Sequence, residues 1–246
     1  MNVMDLVIQD REQVQLESIF LDDSSRKMCL QLIREHQFIA ELHKYGLPVN
    51  NKLLLHGASG CGKTMTAKAL ANALHKSIFI LNLSNIVSAR IGETSQHLKL
   101  VFDKAARENA VLFLDEFDQI GKARTDDKDV GEMRRLVNTL IQLIDYYPEK
   151  SLLICATNHP EVIDEALLRR FQVKVDFQMP SNEVLDNYYD QLLSRFPEDI
   201  RDIERSYGIS FAEARDYCFT VIKSLLITKL EKERALQQEL QEQLPA

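Results

Sequence analysis

Short apolar runs alternate with longer amphipathic stretches along most of this chain. Five of the runs have the length of a β-strand, and the segments between them carry apolar residues mostly at helical spacing. The five strand-length segments are 52–56, 77–83, 110–114, 151–158 and 173–177, of which the last contains Lys174 and Asp176 between its apolar residues. Continuous apolar runs of this length are typical of parallel strands that are covered by helices on both faces. The pattern therefore predicts an α/β fold with a five-stranded parallel sheet.

The same pattern divides the chain into four regions. Residues 1–24 are polar with little periodicity and are expected to form a flexible or peripheral lead-in, and residues 25–180 contain all five predicted strands. Residues 181–233 show only helical spacing and predict a separate helical subdomain. Residues 234–246 form a tail rich in Glu and Gln, for which an exposed or frayed helix is expected rather than a coiled coil, because two heptads are too few.

A glycine-rich loop lies between the first predicted strand and a helical segment. It matches the phosphate-loop pattern G-x-x-x-x-G-K-[ST] in full, as Gly57-Ala58-Ser59-Gly60-Cys61-Gly62-Lys63-Thr64. Backbone N–H groups of such a loop and the N-terminus of the following helix hold a polyphosphate. We expect Lys63 to reach the β and γ phosphates and the Thr64 hydroxyl to bind Mg²⁺. ATP and Mg²⁺ are the predicted cofactors.

Two adjacent carboxylates follow the third apolar run. Asp115 and Glu116 come directly after four apolar residues, at the carboxyl end of a predicted parallel strand, where ligands bind in α/β sheets. Asp115 is predicted to bind Mg²⁺ through a water, and Glu116 to polarise the water that attacks the γ phosphate. Acids that merely mark a strand leaving the core are the alternative, which the phosphate loop makes less attractive.

An amide follows the fourth apolar run. Asn158 could hydrogen-bond the attacking water or the γ phosphate, and its alternative role is that of a turn residue before His159-Pro160. The carboxyl ends of parallel strands share one edge of a sheet, so we expect Asn158, Asp115 and the phosphate loop to lie near one another.

Composition and charge narrow the class of partner. The chain has 246 residues with a formal net charge of −7, which argues against nucleic acid as the main partner because such binding rests on a basic surface. The four cysteines are scattered without CxxC spacing, so reduced thiols and no cysteine metal site are expected. No stretch resembles a signal peptide or a membrane span, so a cytoplasmic protein without a membrane partner is the expectation.

Together these motifs resemble those of AAA+ ATPases of the core AAA clade, over about residues 45–177. The segment 163–171 is especially similar to the meiotic and microtubule-severing branch, to ATPases that remodel HORMA-domain proteins, and to single-ring bacterial relatives. The resemblance implies a P-loop NTPase α/β/α sandwich followed by a helical lid, and the segment 208–213 resembles the lid motif of the clade. It also implies ATP hydrolysis by a hexameric ring.

The resemblance assigns two further groups of residues. Arg169 and Arg170 match the arginines that reach the nucleotide of the neighbouring subunit, the alternative being solvated arginines at a helix end. Arg90 and Ile91 align with the pore loop, where relatives carry an aromatic residue that grips a polypeptide. Arg90 at that position implies a different grip or little threading, and an ordinary surface loop is the alternative.

The sequence therefore predicts an ATP-driven remodeller of a protein partner. An adaptor or a HORMA-type signalling protein in a bacterial antiphage system is the favoured partner, and a companion protease is the next. A nucleic-acid-associated ATPase, of the helicase-loader or transposition-regulator type, is the alternative from a different class. A scaffold that only binds ATP is disfavoured, because Lys63, Asp115, Glu116 and Asn158 occur together.

Overall fold

A computed structural model of the chain describes residues 7–10, 12–84, 91–122 and 130–242. The chain divides into two compact units, Met1–Gln178 and Met179–Ala246. The sequence predicts a boundary at residue 180, between the α/β and the helical region, and another at residue 233, between the lid and the tail. Among the described helices, none is both long and apolar enough to cross a membrane.

The first unit is built on a sheet whose described part has six strands: β1 Val7–Asp10, β2 Lys52–Gly57, β3 Ile78–Asn82, β4 Val111–Asp115, β5 Leu152–Thr157 and β6 Val173–Phe177. Their order in the sheet is β1-β3-β4-β5-β2-β6. Five of them, β2 to β6, are parallel to one another and correspond to the five predicted strands. The sixth, β1, pairs antiparallel with β3 at one edge, so the expected number of strands is corrected from five to six.

Helices cover both faces of this sheet, which confirms the predicted α/β fold class. On one face α1 (Asp23–Gln37) and α3 (Lys63–Ala73) pack against Leu53, Leu55 and their neighbours, and on the other α4 (Ile91–Arg107) and α6 (Val130–Asp145) pack against Leu54 and its neighbours. Successive side chains of a strand point to opposite faces, so each apolar run supplies both layers. The helices of this unit are α1 Asp23–Gln37, α2 Ile39–Lys44, α3 Lys63–Ala73, α4 Ile91–Arg107, α5 Gln119–Lys122, α6 Val130–Asp145 and α7 Glu165–Leu168.

The stretch before α1, expected to be a lead-in, contributes to the core. Val14, Leu16 and Ile19 are buried in the layer formed by α1 and α3. Its backbone is held by side chains of those helices: Arg26 Nη2 donates to Ile19 O at 2.7 Å, and Asn72 Nδ2 donates to Val14 O at 3.0 Å. Residues 1–24 thus include the edge strand β1 and three buried side chains.

The second unit is helical. It contains α8 Asn182–Leu193, a 3-10 turn at Glu198–Ile200 and the long helix α9 Phe211–Glu242. Its core is formed by apolar side chains of α8 and α9, and the hydroxyl of the buried Tyr189 donates to Ser206 O at 3.1 Å. At the start of α9, Ser210 and Glu213 bond to each other's backbone N–H groups, an arrangement known as a capping box. The segment that resembles a lid motif therefore begins α9.

Candidate active site

The phosphate loop turns sharply between β2 and α3 and is fixed to the end of β6. Ala58 N donates to Phe177 O at 2.7 Å, and Gly57 has a φ of +117°. A Cβ atom at Gly57 would lie 2.3 Å from Phe177 O, so no other residue fits without moving the loop. Glycine is required here by both the backbone conformation and the close approach of β6.

The end of the loop leaves the first turn of α3 open to an anion. Gly62 is the N-cap residue, with a φ of 104°, and makes no side-chain capping bond. The N–H groups of a helix N-terminus that no side chain caps are ready to bind phosphate oxygens, and the helix dipole adds partial positive charge. The 11-residue helix α3 thus supplies the backbone donors that the motif predicts.

Lys63 lies under the loop rather than in solvent. Its Nζ donates to Gly57 O at 2.9 Å and to Ala58 O at 2.7 Å, and the residue is 8% exposed. Burial lowers the pKa of Lys63, while negative charge from groups that include Asp115 and Asp118 acts in the opposite direction. The lysine is therefore placed to exchange its two carbonyl partners for phosphate oxygens.

The two predicted carboxylates lie at the end of β4, which is flanked by β3 and β5. Burial raises the pKa of Asp115, and the nearby charge of Glu116 acts in the same direction. Glu116 N donates to Asp115 Oδ1 at 2.9 Å. Glu116 itself has a φ of +54°, an uncommon left-handed conformation for a residue with a side chain. Such strained residues cluster at functional sites, where the surrounding structure holds them.

Asn158 follows β5, the strand that lies between β4 and β2. Its side chain is exposed, and the sheet brings it to the edge that also carries the phosphate loop and Asp115. The structure thus brings together the ends of β2, β4 and β5, as the sequence predicts. Their roles in hydrolysis remain predictions.

The two candidate arginines, both near the end of α7, have different environments. The Arg169 side chain is 73% exposed and pairs with Glu165 one turn earlier on the same helix. The Arg170 side chain is 28% exposed, its Nη2 donates to Asp145 Oδ2 at 3.1 Å, and its Nε lies 2.9 Å from Asp145 Oδ1. Arg169 is free to extend from the surface, whereas Arg170 is attached to the end of α6.

The candidate pore loop is described only in part. Arg90 lies outside the described residues, and Ile91 is the first residue of α4.

Sequence reasoning missed two features beside the site. The first is Ile19, whose side chain would lie 3.8 Å from a Cβ atom at Gly62 and so flanks the phosphate loop. The second is a buried hydrogen bond of 2.9 Å from Thr157 Oγ1 to Asp118 Oδ1, which links the loop after β4 to the end of β5. The apolar residues Val14, Leu16 and Ile19 in a mostly polar stretch were the sequence signal that could have indicated the buried position of Ile19. Nothing in the linear sequence pairs Thr157 with Asp118.

Comparison with known proteins agrees with this geometry. Residues 53–179 match the family model described as ATPase family associated with various cellular activities (AAA). The chain belongs to the AAA family of ATPases. The matched range runs from β2 to just beyond β6, so it includes the phosphate loop, both carboxylates, Asn158 and both arginines.

Individual relatives support the same assignment. An uncharacterized AAA family ATPase of Sinorhizobium fredii, y4kL, is 32% identical over 90% of this chain and 70% of its own length. A protein of Methanothermobacter thermautotrophicus, described as a homologue of a 26S proteasome regulatory subunit, is 28% identical over 79% of this chain. The chain spans 56% of the length of that relative.

The solved structure of the FIGL-1 AAA domain has the same fold. It superposes with a TM-score of 0.70 at 23% sequence identity, covering 89% of this chain and 76% of the other. The present AAA ATPase therefore shares the AAA domain fold and the enzyme class, ATP hydrolysis, that the sequence predicts.

Proposed function

We propose that this AAA ATPase works as a ring of identical subunits, a hexamer, that uses ATP hydrolysis to remodel a protein partner. The observation that carries the proposal is the exposure of Arg169, 73% for its side chain, within a chain that already assembles a phosphate loop and paired carboxylates. An arginine supplied by a neighbouring subunit completes each site, and a head-to-tail interface of this kind closes into a ring.

Within one subunit, the loop N–H groups and the start of α3 bind the polyphosphate of ATP, and Lys63 turns from Gly57 O and Ala58 O to the β and γ phosphates. Glu116 accepts the proton of the attacking water, and Asn158 orients that water or the γ phosphate. Arg169, and Arg170 if it leaves Asp145, stabilise the charge that develops on the γ phosphate.

Thr64 and Asp115 are the residues that would hold Mg²⁺. Among the described residues, no group of three His, Cys, Asp or Glu side chains could form an all-protein metal site. The few protein ligands that remain suit Mg²⁺, which keeps most of its waters and shares phosphate oxygens. The ion would neutralise negative charge on the β and γ phosphates.

Ile19 is a candidate to contact the adenine base of the nucleotide. Ile19 lies beside Gly62, and its backbone carbonyl is held by Arg26 at 2.7 Å. Lys68 of α3 pairs with Asp10 at 2.6 Å and with Glu12 at 2.7 Å, which ties the start of this segment to the helix that follows the phosphate loop. An apolar side chain fixed beside the loop can pack against a purine.

The protein partner is proposed from similarity. Segment 163–171 resembles that of ATPases that remodel HORMA-domain proteins, which favours a HORMA-type signalling protein of a bacterial antiphage system, acting in the cytoplasm. The named relation of one relative to the 26S proteasome supports a companion protease as the second candidate. A nucleic-acid-associated ATPase is the third, and the net charge of −7 weighs against it.

A trapping experiment tests this proposal. Tagged Glu116→Gln protein, which we expect to bind ATP without hydrolysing it, is used to pull partners from the native host in ATP and Mg²⁺. The matched control is Lys63→Ala, which we expect not to bind ATP. One stoichiometric protein held by the first variant and absent from the second supports remodelling and identifies the partner. Nucleic acid on the first variant, or no partner at all, contradicts it.

A further inference from the structure

The buried carboxylate Asp118 joins the two strand ends on which Glu116 and Asn158 lie. Asp118 is 3% exposed and Thr157 is 1% exposed, and Thr157 Oγ1 donates to Asp118 Oδ1 at 2.9 Å. Asp118 lies two residues after Glu116, and Thr157 immediately precedes Asn158. The bond therefore crosses from the loop after β4 to the last residue of β5.

The Thr157 hydroxyl makes two hydrogen bonds, one as a donor and one as an acceptor. It donates its hydrogen to Asp118 and accepts a hydrogen bond from His159 N at 2.9 Å. His159 N–H belongs to the peptide group that follows Asn158, so the hydroxyl fixes the backbone on both sides of Asn158. The Thr157 hydroxyl oxygen thus orients the backbone around Asn158. It also holds the Asp118 carboxylate near Glu116.

The backbone at Glu116 needs such support. Its φ of +54° is costly for a residue with a Cβ atom, and strain of this kind persists only where the surroundings hold it. Phe117 N donates to Ala156 O at 2.8 Å, which makes one bridge from the Glu116 loop to β5. The bond from Thr157 to Asp118 makes a second bridge one residue further along each chain segment.

We infer that Asp118 and Thr157 are positioning residues for ATP hydrolysis, which hold Glu116 and Asn158 in register across β4 and β5. Neither needs to touch ATP. The hydrogen bond from Phe117 to Ala156 and the one from Thr157 to Asp118 join consecutive residues of the loop to consecutive residues of β5. Together they fix both the position and the rotation of the Glu116 backbone. The inference rests on the role proposed above for Glu116.

Removing the hydroxyl from Thr157 tests the inference. Thr157→Val keeps the shape of the side chain but loses both hydrogen bonds, Thr157→Ala also loses them without adding bulk, and Thr157→Ser keeps them. Hydrolysis is measured per bound nucleotide, so that any unfolded fraction does not count. We expect kcat to fall at least about tenfold in the Val and Ala variants with KM for ATP within about threefold, since misplacement by about 1 Å can cost 10²-fold. The Ser variant should stay within about threefold of the wild type.

Introducing Thr157→Val into Glu116→Gln protein distinguishes loss of positioning from a general structural defect. In Glu116→Gln protein one of the two positioned groups has lost its basic function, so Thr157→Val should lower the residual single-turnover rate by clearly less than it lowers the wild-type rate. An equal fall in both backgrounds, or a Val variant of the wild type within about threefold of full activity, would overturn the inference. Wild-type turnover by Glu116→Gln alone would instead contradict the proposed role of Glu116, whatever the Thr157 variants do.

Discussion

Arg170 and Asp145 form a two-point ion pair, with Nη2 donating to Oδ2 at 3.1 Å and Nε 2.9 Å from Oδ1. The pair connects the end of α7 to the end of α6, two elements that are 25 residues apart in this contact. Arg169, its neighbour, instead pairs with Glu165 on its own short helix and has a side chain that is 73% exposed. The sequence assigns the same role to Arg169 and Arg170, but the two side chains have different ion-pair partners and different exposure.

The first prediction concerns this difference. Arg170→Ala should lower the thermal midpoint by about 2–4 °C, because a partly buried pair of this kind contributes up to about 1 kcal/mol. Arg169→Ala should leave the midpoint within about 1 °C, since an exposed pair within one helix contributes little. Differential scanning fluorimetry of both variants without nucleotide measures the effect. Equal midpoints for the two variants would show that the Asp145 contact does not stabilise the fold.

The second prediction separates binding from hydrolysis. Lys63→Ala should lose nucleotide binding because it removes the charge beneath the loop. Glu116→Gln should bind ATP as the wild type does and hydrolyse it at least about 10²-fold more slowly, because an amide cannot accept the proton of the water. Titration with a fluorescent ATP analogue and a phosphate-release assay measure the two properties. Normal turnover by Glu116→Gln would remove Glu116 from the role of base.

The third prediction concerns Gly57. Gly57→Ala should abolish ATP binding, since the added Cβ atom would lie 2.3 Å from Phe177 O at a φ of +117°. Gly46→Ala is the matched control: its φ is +71° and nothing lies within 4 Å of its Cβ position. The control should cost roughly 1–2 kcal/mol of stability and leave ATP binding intact. Tight ATP binding by Gly57→Ala would show that β6 does not constrain the loop.

The fourth prediction concerns pH. Asp22 caps α1 through bonds from Ser24 N at 2.9 Å and Ser25 N at 3.0 Å, and hydrogen bonds from Ser25 are the main cause that holds its pKa below the usual value. Because the folded pKa is depressed, the stabilisation is complete above the unfolded pKa of about 4 and is lost as pH falls through the folded pKa.

Asp22→Ala should therefore lower the free energy of unfolding by about 1 kcal/mol at pH 7. The difference from the wild type should shrink as the pH falls below about 4. Urea unfolding of both proteins across this range measures it, with Asp23→Ala as the control for a neighbouring acid in the first turn of α1. A difference that stays constant down to the acid limit would mean that the carboxylate charge plays no part in the cap.

The parts of the fold that sequence predicts well are those in which one residue type dictates the local structure. Runs such as 110–114 are apolar throughout and therefore predict buried strands, and the phosphate loop needs its glycines, so β2 to β6 and the loop can be predicted from the sequence. Their common edge follows in turn, because parallel strands carry their ligands at one end. The predicted placement of Asp115 and Asn158 rests on this rule.

Other parts depend on contacts that are distant in sequence. The strand β1 has four residues with two exposed in the middle, and only its pairing with β3 makes it a strand. The helices α1 and α2 are separated at Phe38, whose ψ of 23° departs from the helical value, and no proline or glycine marks the break. The helix α9 runs on to Glu242, into the tail for which the sequence predicts an exposed or frayed helix.

The candidate site shows the same limit. Asp118 and Thr157 are 39 residues apart and their hydrogen bond exists only because β4 and β5 are neighbours. The separate environments of Arg169 and Arg170 likewise depend on where α6 ends. Sequence can nominate such residues by type and spacing, whereas their partners follow from topology.

A mixing experiment tests directly whether the site is shared between neighbouring subunits. Lys63→Ala and Arg169→Ala proteins should each be inactive, the second because loss of a trans arginine costs about 10³–10⁵ in rate. At equal mixing, about a quarter of the interfaces pair an intact Lys63 with an intact neighbouring Arg169, and activity should return in that proportion. A mixture of Lys63→Ala with Glu116→Gln, both defects of one subunit's own half-site, should stay inactive. Recovery only in the first mixture is the predicted result, and no recovery at any ratio would contradict the shared site.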